Sequence, residues 1–180
     1  PLIHGMIRIA QLIYKTKREP ELKSEVIRLI TEQESIADET LLKFDGQFEE
    51  LVSGMELYVT DLQGSEKMNQ VIIGHPVMWK LVRLIKSVEE RAVRSELYWL
   101  NEIITDEEME RCDKELDLVL RKFRSGIYEM TNIEGRKGGK WDADTFLKEL
   151  RTKLEKGEEF EVDAETESQL KQSKKKAKAA

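Results

Sequence analysis

The sequence predicts an all-α protein: an antiparallel helical bundle of three long heptad-patterned helices, with an N-terminal helical hairpin or arm and a C-terminal helix. Three observations carry this reading. Apolar residues recur at alternating spacings of three and four over three long stretches, the period at which one side of an α-helix is buried against a neighbour. Proline occurs only at Pro1, Pro20 and Pro76, the last two where a helix can begin, so no stretch is interrupted. Charged residues make up 37% of the 180, against roughly 25% in an average globular protein. That composition suits long solvated helices, and the 39% that is hydrophobic still suffices for a core.

The first element runs from Leu2 to Lys17. Leu2, Met6, Ile9 and Ile13 line one side, and Ile3, Ile7, Ala10 and Tyr14 flank them, an apolar face too wide for a lone surface helix. Pro20 then opens a shorter amphipathic helix through Leu22, Val26, Leu29 and Ile30 that ends near Gln33, completing a hairpin or arm over 1–34. Ser35 and Asp38 read as the cap of the next helix. Its seam is Leu41, Phe44, Phe48, Leu51, Met55, Tyr58 and Leu62, closed by Gly64 and Ser65. A short segment with Met68, Val71, Ile72 and Ile73 leads to the break at Gly74, His75 and Pro76. The second seam is Met78, Leu81, Ile85, Val88, Ala92, Ser95 and Trp99. Thr105 with Glu108 fits a capping box, and the third seam follows as Met109, Cys112, Leu116, Val119, Phe123, Gly126 and Met130. Tight connections between matched seams predict antiparallel neighbours.

Beyond the bundle, 131–140 reads as a flexible basic loop. Asp142 is the expected N-cap of a last helix, with Trp141 and Phe146 as a hydrophobic staple, Ala143, Leu147, Leu150 and Leu154 on its apolar side, and Gly157 as its stop. The core therefore spans 35–157. The tail, 158–180, is acidic and then lysine-rich, and lacks the apolar content to fold alone.

Charge is arranged in blocks. The net value is −6, yet residues 119–141 hold six bases against two acids, and 168–180 hold five lysines and no acid. On the second long helix Lys80, Arg83, Arg91 and Arg94 share one narrow stripe, about 120° from the seam. With Arg121, Lys122, Arg124, the loop residues Arg136, Lys137 and Lys140, and the tail residues Lys174, Lys175 and Lys176, they are the candidates for contact with a nucleic-acid backbone. The alternative is an ordinary solubilising face paired with Glu89, Glu90 and Glu96.

Groups that carry chemistry are sparse. His4 and His75 are the only histidines and lie far apart, so no histidine pair at helical spacing and no Glu-x-x-His motif is present, and neither a metal nor a cofactor is expected. His75 reads as a helix-start cap, and Cys112, on a seam, as a small core residue. The loop from Gly135 to Lys140 lacks the spacing of a phosphate-binding Walker loop. One cysteine excludes an internal disulfide and suits a reducing compartment or a virion, and neither a signal peptide nor a membrane span is legible.

The expectation is a non-enzymatic structural or assembly protein. It would form homo-oligomers through Leu2, Ile3, Met6, Ile7, Ile9 and Ile13 and would meet nucleic acid through basic stripes, with a virion nucleoprotein or coat-type subunit as its most specific form. The alternative is a helical adaptor whose apolar N-terminal helix binds another protein. No small-molecule substrate is evident from the sequence.

Overall fold

The computed structural model describes residues 2–55, 57–58, 73–131 and 142–158. Five helices and no strand occur among them: α1 (Leu2–Lys15), α2 (Pro20–Val52), α3 (Met78–Leu100), α4 (Asp106–Thr131) and α5 (Ala143–Lys156). None is long and apolar enough to cross a membrane. The chain divides into two compact units, one of residues 1–30 with 124–180 and one of residues 31–123, so that α2 and α4 each contribute to both.

The first unit contains α1, the start of α2, the end of α4, and α5. Met6, Ile9 and Leu12 of α1, Leu22, Val26, Leu29 and Ile30 of α2, Ile127 and Met130 of α4, and Phe146, Leu147 and Leu150 of α5 are its buried apolar side chains. Gly5 lets α1 approach α4 closely, because a Cβ there would lie 2.6 Å from Ile127 Cγ2. Ion pairs from Lys15 to Asp144 at 2.8 Å and from Arg151 to Glu19 at 2.7 Å add polar ties to α5. The caps of α5 are those expected. Asp142 accepts from the Asp144 and Thr145 amides, and these bonds with the Thr145 hydroxyl hold its carboxyl below the usual range. Gly157 ends the helix in the left-handed region at φ 67°, while Trp141 lies outside the described residues. Leu154, expected on the apolar side, is exposed, since the helix is already in its last turn there.

The second unit is built from the remainder of α2, all of α3 and most of α4. Ala37, Leu41, Phe44 and Phe48 of α2, Leu81, Leu84 and Val88 of α3, and Cys112, Leu116, Val119 and Phe123 of α4 are buried. Phe44 and Phe48 pack at 5.2 Å between ring centroids, and Tyr98 lies 5.7 Å from Phe48. The capping box opening α4 is present in full. Thr105 N donates to the Glu108 carboxylate at 2.9 Å and Glu108 N donates to the Thr105 hydroxyl at 3.3 Å, and the Thr105 amide, with the Thr105 hydroxyl, holds the Glu108 carboxyl below its usual range. α3 closes with paired bonds from Ile103 N to Tyr98 O and from Glu102 N to Trp99 O, which put Glu102 in the left-handed region at φ 57°.

Four expectations are corrected. α2 passes unbroken through Gln33 and Ser35, so Ser35 caps nothing: four-residue periodicity from Val26 and Ile30 into Ala37 and Leu41 sustains one helix. That helix ends at Val52, leaving Met55 and Tyr58 exposed where seam positions were expected; the side chain of Leu51 and residues Leu62, Met68, Val71 and Ile72 lie outside the described set. On α3 it is Leu84 that is buried, and Ile85 and Trp99 are exposed along with Trp79. The relative direction of two helices also differs. Glu34 meets Lys80 and Arg83, and Asp45 meets Arg91 and Arg94, so contacts advance together along α2 and α3, which run parallel. Residues 53–77 separate them, long enough to bring the chain back to its starting end, which a tight turn cannot do. α3 and α4, joined by a tight turn, are antiparallel: Cys112 meets Ser95 across it.

Candidate functional site

The wide apolar face of α1 resolves into two stripes. Met6, Ile9 and Ile13 are within their own unit's core, Leu2 is half-buried, and Gly5, Leu12 and Thr16 extend the buried side. The other stripe is left outside. Ile3 is 60% exposed, Ile7 45% and Tyr14 68%, with Ala10 half-buried between them. At 100° per residue these four fall within about 60° of one another. Of the six residues expected to self-associate, only Ile3 and Ile7 are therefore presented strongly, and Tyr14 belongs with them. The spacing of four, three and four was the signal that linked it.

The charges of α1 are turned away from this stripe. Arg8 Nη1 donates to the Thr131 carbonyl at 3.1 Å, and Lys15 binds Asp144. Gln11 and His4 stand on the solvent side, and Lys17 reaches back over the Tyr14 ring at 4.7 Å. The stripe is thus bordered by neutral groups along most of its length.

The basic stripe of α3 has a different setting from the one expected. It does not pair with Glu89, Glu90 or Glu96 but with acids of α2, in two copies of one arrangement eleven residues apart. In the first, the Glu34 carboxylate binds Lys80 and, at 3.1 Å, Arg83; in the second, Asp45 binds Arg91 and, at 3.4 Å, Arg94. Eleven residues are close to three whole turns, so both clamps lie on one line along each helix. Lys80 and Arg91 are largely buried, at 18% and 15% side-chain exposure, while Arg83 and Arg94 keep an exposed side. Burial pushes the Glu34 carboxyl up, but the bonds and charges of Lys80 and Arg83 outweigh it and hold the group below its usual range.

Among the other candidates, Arg121 pairs with Asp117 on its own helix, Lys122 is exposed, and Arg124 is exposed beside a cleft of the first unit. Arg136, Lys137, Lys140, Lys174, Lys175 and Lys176 lie outside the described residues. The groups named for chemistry have structural settings. His75 Nδ1 accepts from Val77 N at 3.2 Å at the entry to α3. Cys112 is buried, and burial pushes its thiol up against a weaker opposite pull from Ser95. Among the described residues no three His, Cys, Asp or Glu side chains gather as metal ligands. Comparison with models of protein families, with curated proteins and with solved structures found no match.

Proposed function

We propose that the chain is a non-enzymatic structural or assembly protein that associates with further copies of itself through the outer stripe of α1. The single observation behind this is that Ile3, Ile7 and Tyr14 are exposed at seam spacing on a helix whose inner face is already occupied. A second copy is the occupant that this spacing suits, because a four-three-four ridge meshes with an identical ridge, and self-complementary patches close two-fold pairs. Arg8 and Lys15 are engaged within their own unit, so two copies meet with little like-charge repulsion. Taking about 200 Å² for a large side chain, the three exposed fractions amount to roughly 350 Å² per chain. A stable dimer buries about 800 Å² per partner. Each contact is accordingly weak, and association depends on concentration, as in an assembling subunit of coat or nucleoprotein type.

Contact with a nucleic-acid backbone is the second part of the proposal, and its weight moves away from Lys80, Arg83, Arg91 and Arg94, whose charge is shared with Glu34 and Asp45. Lys122 and Arg124 on α4 and the basic residues of 132–180 are its remaining carriers, and such binding must fall steeply with salt.

Sedimentation velocity of the full chain over a wide concentration range tests the association. The expected result is a sedimentation coefficient that rises with concentration, and that stays at the monomer value for the Ile7→Glu, Tyr14→Glu double variant. Both positions are exposed, so helicity is retained. A monomer at all concentrations, or a rise that the double variant shares, overturns the reading. Deleting residues 1–19 is a poor substitute, because it removes Met6, Ile9 and Leu12 from the core.

A further inference from the structure

The buried side of α3 carries Leu81, Leu84, Val88 and Ser95, and the clamps to α2 occupy one flank. The side turned away from that core is not a plain solvated face. Trp79 is 52% exposed, Val93 41% and Leu100 41%, with Val82 and Leu97 half-buried beside them. Together with Lys86 and Glu89 these residues are spaced three, four, three, four, four and three apart in the sequence. At 100° per residue they fall within about 80° of one another. They form an outer seam along the whole helix, apolar towards both ends and charged in the middle. Lys86, Glu89 and its neighbour Glu90 are exposed and enter no ion pair among the described residues.

We propose that this seam pairs with the same seam of a second copy, the two α3 helices running antiparallel. Charge selects the direction. A parallel pair sets Lys86 against the partner's Lys86 and Glu89 against the partner's Glu89, both repulsive. An antiparallel pair centred between Ser87 and Val88 sets Lys86 opposite the partner's Glu89 and beside the partner's Glu90, twice by symmetry. The same register sets Val82 opposite the partner's Val93 and inserts Trp79 among the partner's Val93, Leu97 and Leu100. One register thus satisfies the charged middle and both apolar ends, which favours a second copy over an unrelated partner. At about 200 Å² for a large side chain, the exposed fractions of Trp79, Val93 and Leu100 amount to roughly 270 Å² per chain. A stable dimer buries about 800 Å² per partner, and charged residues within a seam fix its register at a cost in stability. The contact is therefore weaker than that of the α1 stripe and does not by itself move the sedimentation coefficient. With both faces on one chain, association continues past a pair, a consequence that rests on the α1 reading.

Covalent trapping reads this contact separately from that of α1. Full-length Val82→Cys and Val93→Cys are mixed and oxidised mildly, the native Cys112 being buried. The mixture is expected to give a disulfide-linked dimer and each variant alone almost none, because only opposed positions bring the two sulfurs together. Adding Lys86→Glu to both is expected to abolish the crosslink, and adding Lys86→Glu with Glu89→Lys to both is expected to restore it, since the exchanged charges again face each other. Val93, Lys86 and Glu89 are exposed and Val82 is half-buried, so these variants keep their fold. The crosslink is expected to persist in the Ile7→Glu, Tyr14→Glu background. No crosslink in the mixture, equal crosslinking by either variant alone, indifference to Lys86→Glu, or no restoration by Glu89→Lys overturns the α3 pairing. An intact crosslink in a chain that sediments as a monomer at every concentration supports the α3 pairing and refutes the α1 reading alone.

Discussion

Two glycines sit inside helices, and the same substitution at each should have opposite consequences. Gly46 lies on the exposed side of α2, and a Cβ there meets nothing within 4 Å. Gly46→Ala therefore gains only what alanine gains over glycine in a helix, about 1 kcal/mol, or roughly 2 to 4 °C in Tm for a chain of this size. Gly5→Ala makes the same gain but drives its methyl to 2.6 Å from Ile127 Cγ2, where carbon atoms pack at about 3.5 to 4.0 Å. The obstacle cannot swing aside. Cγ2 is bonded to Cβ, its position is fixed by a χ1 that β-branched residues hold almost invariably in helices, and Ile127 is only 1% exposed. Overpacking of this kind costs about 1 to 3 kcal/mol. The net for Gly5→Ala is then from near zero to about 2 kcal/mol of destabilisation, always 1 to 3 kcal/mol below Gly46→Ala. Urea titrations followed by far-ultraviolet circular dichroism measure both variants. In an Ile127→Ala background the penalty on Gly5→Ala should vanish, because the clashing methyl is gone. If both alanines stabilise alike, or if the penalty persists with Ile127 truncated, the close approach of α1 and α4 is not what the geometry states.

Further outcomes follow from the clamps and the caps. The Glu34 carboxyl is held low, so its contribution is fully present above its unfolded pKa, about 4.3, and is lost as pH falls through the lower folded value. Wild type should exceed Glu34→Gln by about 1 to 2 kcal/mol at neutral pH, and the gap should close below about pH 4; a gap that ignores pH refutes the pairing with Lys80 and Arg83. Glu102, a non-glycine residue at φ 57°, should give way to glycine with a gain of about 0.5 to 1 kcal/mol in thermal unfolding, and a loss would contradict that backbone geometry.

Local chemistry was the most legible part of the sequence. The Thr105–Glu108 box, the Asp142 cap, the Gly157 stop and the α4 seam from Cys112 to Met130 all depend on residues within one or two turns of each other, and all are present. What was not legible depends on a partner elsewhere in the chain. The spacing of Lys80, Arg83, Arg91 and Arg94 showed that they share a line but not that α2 supplies Glu34 and Asp45 opposite it. Leu84 and Ile85 are adjacent and equally apolar, and only the direction of the neighbouring helix decides which is covered. Ser35 looked like a cap because capping residues also occur within helices when packing on both sides sustains the turn. For α1, sequence gave a width of apolar surface, and the structure divided it between the core and Ile3, Ile7 and Tyr14.

The eleven-residue repeat of the two clamps sets how α2 and α3 may slide. Moving α3 by one turn leaves each acid one cation in place of two, because the cations of each clamp stand three residues apart, and moving it by three turns re-engages one clamp while emptying the other. The clamps thus carry alignment information for this parallel pair in side chains. Residues 53–77 can be lengthened, or the chain opened within them and its ends joined elsewhere, and the two helices retain the instruction for finding the same register.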